Sequence, residues 1–296
     1  MLGECRRRLP IPYLCGIPAR FRGRSGLMMI KNTAFVDETE GGDVFLMAAW
    51  VSDVDTWEAF TEAWQDTLDS APTIKYFKHS EAMAAIENFA HWERPAIDDK
   101  MSRLVDVICA HEMSGLVAGA RVSTYTEAFR SDILGEKQVK SVLKLTHPYH
   151  TCFFSIPKGI IQFQKERGVD AKVDFVFDRQ DGMFLECKIL FEEMMKILPE
   201  EILRNIGTII DQSDEDVLPL QAADLLAGQM RQEIISGHRD KHVERMRIAH
   251  DIGNTAAYPP WFKEIPEMKA AIERVIPWLT QYRKLAKIYG WDDLKD

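Results

Sequence analysis

Cysteine is scarce in this chain, and its arrangement excludes more than it suggests. The 296 residues hold five cysteines (Cys5, Cys15, Cys109, Cys152 and Cys187), odd in number, widely spaced and without a C-x-x-C pair. This argues against a disulfide framework and against a structural zinc site. A reducing cytoplasm is the simplest compartment. Long apolar runs are missing too. The richest, Val44–Val51, is strand-sized and falls well short of the roughly 18 residues of a membrane span. Neither an internal repeat nor a low-complexity tract occurs. Positive charge is also in short supply. A net charge of −9 excludes a broad nonspecific coat of nucleic acid, though not an enzyme that grips one strand in a local groove. Residues 1–30 are the exception, with Arg6, Arg7, Arg8, Arg20, Arg22 and Arg24. They lack the apolar core of a secretory signal and read as a basic, disordered extension, a nucleic-acid-binding arm being the functional alternative.

What is present suits one large α/β domain with helices added to it. Hydrophobic residues make up 46% and charged residues 28%, enough for a sizeable core in a soluble globule. Ala34–Asp37 and Val44–Val51 read as a hairpin of strands with Gly41-Gly42 in the connection. A helix should follow, capped by Asp55 with Glu58 at the capping-box position. Its Trp57, Phe60 and Trp64 lie at helical spacing and read as core. Further strands are expected at Ile74–Phe77, Leu116–Val122, Val173–Asp178 and, last, Ile206–Ile210. Further helices are expected at Glu81–Phe89, Asp98–Glu112 and Phe184–Leu198. Residues 124–168 read as a helical insertion. Lys137, Lys140 and Lys144 share one of its faces, and His147-Pro148-Tyr149-His150 interrupts it as a structural turn. Residues 31–240 would form the domain. Residues 241–296 would form a helical extension packed on it, broken at Pro259-Pro260-Trp261 and continuing at Glu267–Tyr282.

One segment carries most of the functional signal. Leu218-Pro219-Leu220-Gln221-Ala222-Ala223-Asp224-Leu225-Leu226-Ala227-Gly228 reads as a helix begun near Pro219, where proline suits a first turn. Gln221, Asp224, Gly228 and Arg231 form one stripe at 3.6 residues per turn. An acid beside a packing face needs a partner. A glycine inside a helix costs about 1 kcal/mol relative to alanine, which close approach of another backbone or a ligand would explain. Two further acids end apolar runs: Asp37 after Ala34-Phe35-Val36, and Asp178 after Val173-Asp174-Phe175-Val176-Phe177. Strand alternation sets Val173, Phe175 and Phe177 on one face and Asp174, Val176 and Asp178 on the other. Singly, such aspartates usually start turns. Two at strand ends and one on an apolar helix are harder to dismiss together.

Several motifs resemble the DUF3800 family of mostly bacterial and phage proteins. They are Phe35-Val36-Asp37-Glu38, Gly41-Gly42-Asp43-Val44-Phe45-Leu46, Phe77-Lys78-His79-Ser80-Glu81, Asp174-Phe175-Val176-Phe177-Asp178, Asp211-Gln212-Ser213 and Leu220–Gly228. They run in family order over roughly two-thirds of the chain, residues 33–235. The family's Asp-Glu-Ser-Gly stands here as Asp37-Glu38-Thr39-Glu40, with the hydroxyl kept and the glycines one step later. The resemblance implies a ribonuclease H-like mixed β-sheet flanked by helices and a metal-dependent nuclease-type site.

On that implication, Asp37, Asp178 and Asp224 would be catalytic and metal-binding, with Mg2+ or Mn2+ as cofactor and Glu81 as a fourth acid. Hard cations take carboxylate oxygens, and paired ions serve phosphodiester hydrolysis. Gln221 would orient Asp224 or touch a phosphate, and Lys78, His79 and Arg179 would contact substrate. The partner would be nucleic acid, DNA or RNA, and no membrane. The alternative is a noncatalytic binding or assembly module of a defence or mobile-element system. A haloacid-dehalogenase-like phosphatase ranks low, because Thr39 stands where its second aspartate belongs.

Overall fold

The computed structural model describes residues 31–130, 147–179, 182–196 and 200–254. Six strands form one mixed sheet: β1 (Lys31–Gly41), β2 (Val44–Asp53), β3 (Ser114–Arg121), β4 (Lys172–Asp178), β5 (Ile206–Gln212) and β6 (Ile252–Asn254). Their order across the sheet is β5-β4-β1-β2-β3-β6. β1, β2 and β3 are antiparallel neighbours, whereas β4 runs parallel to β1 and β5 parallel to β4. β6 adds a parallel edge beside β3. Gly41 pairs with Val44, so the β1–β2 turn is the two residues Gly42-Asp43. Both have positive φ, 59° and 64°, as a type I′ hairpin demands.

Helices cover both faces. In chain order they are α1 (Val54–Asp69), α2 (His79–Ala84), α3 (Arg94–Ala110), α4 (Val122–Arg130), α5 (Pro148–Glu166), α6 (Met183–Met195), α7 (Glu200–Leu203), α8 (Leu218–Ser236) and α9 (Lys241–Ala249). One core layer joins Phe35, Leu46, Trp50 and Val176 of the sheet to the apolar sides of α1, α3, α8 and α9. The opposite layer joins Ala34, Val36, Phe45, Phe175 and Phe177 to α5 and α6. This alternation along β1 and β4 is the period-two pattern of strands buried on both faces. Trp57, Phe60 and Trp64 are core, as their spacing requires. No helix among the described residues is long and apolar enough to cross a membrane.

Several elements depart from expectation. Ile74–Phe77 is not a strand but irregular chain, held where Ile74 N–H bonds the Leu68 carbonyl and Phe77 N–H bonds Gln221. The cap of α1 is Asp53, which accepts from Thr56 N–H at 2.8 Å, two residues before the expected Asp55. The His147–His150 segment opens α5: His147 is its N-cap and Pro148 its first residue, where the missing N–H costs nothing. Ile206–Gln212 is not the last strand, since β6 follows α9 and extends the sheet past residue 241. The expected insertion shows α4 and α5 at its two ends. Lys137, Lys140, Lys144, residues 1–30, Pro259-Pro260-Trp261 and Glu267–Tyr282 lie outside the described residues.

Candidate functional site

β1 is longer than β4 at one end, and that difference makes the site. The parallel ladder closes with Val36 opposite Phe177. β4 ends one residue later at Asp178, whereas β1 continues to Gly41. Asp37 therefore sits inside its strand, not at its exit as expected, but at the point where the neighbouring strand stops. The hairpin with β2 carries β1 onward, Asp37 pairing with Ala48. A notch remains beside residues 37–40. Asp37 follows the alternation of Phe35, and Asp178 that of Val176, so both acids project from the face that α8 covers.

α8 brings the third acid. Trp50 Nε1–H donates to the Ala222 carbonyl at 3.2 Å, pinning the helix to β2. Asp37, Asp178 and Asp224 are all buried, at 3%, 7% and 7% exposure. With Glu38, Thr39, Glu40, Phe45, Lys78, Ser80, His147 and Met183 they line one cleft of about 310 Å³. One oxygen of each aspartate accepts a backbone N–H: Asp37 from Glu38 at 2.6 Å, Asp178 from Asp214 at 3.2 Å, and Asp224 from His79 at 2.6 Å.

The acids raise one another's proton affinity. Burial comes first for Asp37, followed by the charges of Asp224, Glu38 and Asp178, and its pKa stands well above the ordinary range. Burial, with Asp214 and Asp178 adding to it, lifts Asp224 to about 7. Burial and Asp214 lift Asp178 to about 6. Burial, Asp178 and Asp224 lift Glu38 to about 8. These are the marks of desolvated like charges in one place. Lys78 is the cation among them. Burial works against its charge, but the 3.0 Å ion pair with Asp214 and the charges of Asp178 and Asp37 outweigh it and hold its pKa above the usual lysine range.

The remaining expected site residues divide. Lys78 lines the cleft. His79 does not reach it as a side chain. Its ring is buried against Gly228, and burial with the charges of Arg231 and Arg94 drives its pKa down to about 3, so the imidazole is neutral. Its contribution is the backbone N–H on Asp224. Gln221 is fully buried and faces the scaffold. Its oxygen accepts from Trp64 Nε1 at 2.9 Å and from Phe77 N–H at 3.0 Å, and its amide donates to the Asp214 carbonyl at 2.7 Å. It orients the 77–79 segment and the Asp214 loop, not a phosphate. Glu81 is engaged outside the cleft by Tyr76 at 2.8 Å and Asn88 at 3.1 Å. Arg179 pairs with Asp211 at 3.3 Å and is largely exposed.

Three residues around the cleft, Glu38, Asp214 and His147, are not among the site residues expected from sequence, which reads His147 as part of a structural turn. Glu38 adjoins Asp37, yet alternation assigns it to the other face; only the open notch gives both access to one cleft. Asp214 lay in plain view in the acidic run 211–216, but its partner Lys78 is 136 residues away. His147 pairs with Glu40 at 2.9 Å on the same rim. Among the described residues, no three His, Cys, Asp or Glu side chains stand close enough to hold a metal ion as they are. Compared with known proteins, the chain matches no family model and no curated sequence.

Proposed function

We propose that this chain is a divalent-metal-dependent phosphodiesterase acting on nucleic acid, built on a ribonuclease H-like fold. The observation that carries the reading is the convergence of Asp37, Asp178 and Asp224, from two adjacent strands and one covering helix, on a single cleft that also holds Lys78. The strand order supports the fold: an antiparallel meander, β1–β3, continued on the β1 side by two parallel strands. The DUF3800-like motifs support it as well, since the residues that cluster here are drawn from four of them.

The donor set suits a hard cation. It is all oxygen, and its pKa values are raised first by burial and then by neighbouring acids, both of which a positive ion would offset. Asp37, Asp178 and Asp224 would hold Mg2+ or Mn2+, which when bound supplies polarisation of the scissile phosphate and a more acidic water. The chain's own groups do the rest. His79 N–H, Asp214 N–H and Glu38 N–H orient the three carboxylates. Lys78, steadied by Asp214, offers its ammonium to phosphate oxygens. Gln221 fixes both segments that carry these groups.

One observation favours a second reading. No three of the acids stand within metal-holding distance as they are, which suits a noncatalytic binding or assembly module of a defence or mobile-element system. Incubation with labelled single- and double-stranded DNA and RNA, in magnesium and then manganese, separates the two. Metal-dependent cleavage that disappears in Asp178→Asn and Asp224→Asn is expected. Cleavage that survives either substitution, or no cleavage of any substrate, defeats the proposal.

A further inference from the structure

Arg231 is the one member of the α8 stripe that the carboxylate site leaves unused. Two turns separate it from Asp224, about 10 Å along the helix. It is only partly exposed, and its Nε is buried with no hydrogen-bond partner. Among the described residues no carboxylate pairs with it. The acids nearest in sequence have other partners. Glu233 pairs with Arg247 at 2.8 Å and accepts from Asp240 N–H, while Asp240 caps α9. A buried guanidinium N–H without an acceptor is a cost that a bound acceptor would relieve.

The hairpin is shaped around it. Arg231 packs on Gly41 so closely that a Cβ at that position would overlap Nη1 and come within 3.3 Å of Cζ. Gly41 belongs to the same face of β1 as Asp37 and Thr39, by alternation. Asp37 and Thr39 line the carboxylate cleft, and Gly41 lies one further step of about 7 Å along the strand. Arg231 therefore lies one strand step beyond Thr39, its guanidinium against the Gly41 backbone, and it also lines a separate cavity with Glu233, His238, Arg239 and Asp240.

We infer that Arg231 is a phosphate-binding residue for a nucleic-acid strand that leaves the carboxylate cleft past Thr39 and Gly41 of β1. This rests on the nuclease reading above and adds the direction in which substrate lies. Its planar fork of donors matches a phosphate. At roughly 3.4 Å per nucleotide of duplex strand, the contact falls about three nucleotides from the acids.

The test is equilibrium binding of fluorescent single- and double-stranded oligonucleotides, with magnesium and with chelator, in an Asp178→Asn background so that cleavage does not intrude. Arg231→Met keeps the aliphatic packing, Arg231→Lys keeps the charge, and Lys172→Ala, exposed at the far end of β4, is the surface control; thermal melting checks that each is folded. Arg231→Met is expected to weaken binding about tenfold and to lower the salt-dependence slope by about one. Arg231→Lys should fall between, and Lys172→Ala should bind like the parent. Equal affinity and slope in the parent and Arg231→Met overturn the inference alone. A parent that binds no oligonucleotide overturns the nuclease reading along with it. Stabilisation by inorganic phosphate through Arg231, with strand binding unchanged, overturns the assignment to a strand.

Discussion

Gly228 of α8 lies directly beneath the ring of His79, with no room for a Cβ between them. This contact lets α2 descend onto α8 until His79 N–H reaches Asp224 Oδ2 at 2.6 Å. A packing detail and the orientation of a candidate catalytic acid are therefore the same feature.

Gly228→Ala should be destabilising. Over-packing costs about 1–3 kcal/mol, offset by up to about 1 kcal/mol of improved helix propensity. Urea denaturation should show a net loss, and any nucleotide cleavage should fall as His79 is displaced from Asp224. Adding His79→Ala to Gly228→Ala should recover part of the stability, because the two sites share one contact. Strict additivity in that double variant would contradict the packing argument.

The raised carboxyls predict how stability follows pH without metal. Each binds its proton more tightly in the folded chain than unfolded, where aspartate and glutamate titrate near about 4. Their contribution is complete below that value and is lost as pH rises through about 6 at Asp178, about 7 at Asp224 and about 8 at Glu38. In chelator, the melting temperature should decline across this window as the folded chain gives up protons against its own repulsion. The slope should shrink in Asp224→Asn; an identical profile in that variant would show that the acids are not coupled.

Magnesium should reverse that decline. At the alkaline end of the window, titration with magnesium should raise the melting temperature by mass action. Asp224→Asn keeps an oxygen to accept from His79 N–H but removes one of the crowded charges. It should therefore melt higher than the parent in chelator and gain little from magnesium. A parent indifferent to magnesium would favour the noncatalytic module.

Gln221→Leu should behave as a structural lesion. It strips partners from Trp64 Nε1, Phe77 N–H and the Asp214 carbonyl, all buried, at about 1–3 kcal/mol for each group left unsatisfied. Thermal melting should fall substantially. In a nuclease assay run well below the melting point, kcat should drop more than KM rises, since Lys78 and the acids are misplaced. A rise in KM alone, with melting unchanged, would instead make Gln221 a substrate contact.

Local pattern was enough for much of this molecule. Alternation in Val173–Asp178 assigned each side chain to its layer, and the aromatic spacing of Trp57, Phe60 and Trp64 declared their burial, because short-range periodicity decides which face a residue occupies. Gly228 within a helix signalled a close neighbour before that neighbour was known. Irregular chain gave no such signal. Residues 74–77 look like a strand by composition, yet Ile74 N–H bonds the Leu68 carbonyl of the preceding helix and Phe77 N–H bonds Gln221, 144 residues away, a partner that only packing makes available.

By itself, the order of residues determined the three acids, the strands and helix that carry them, and the absence of cysteine frameworks and long apolar spans. The folded chain decided what those acids do together. Where one strand outruns its parallel neighbour is a matter of register. Register sets the notch beside Asp37 and admits Glu38 to it from the opposite layer, while packing of α8 against the 77–79 segment joins Lys78 to Asp214 and turns Gln221 and His79 away from it. Such relations depend on distances between segments more than a hundred residues apart, which local periodicity does not encode.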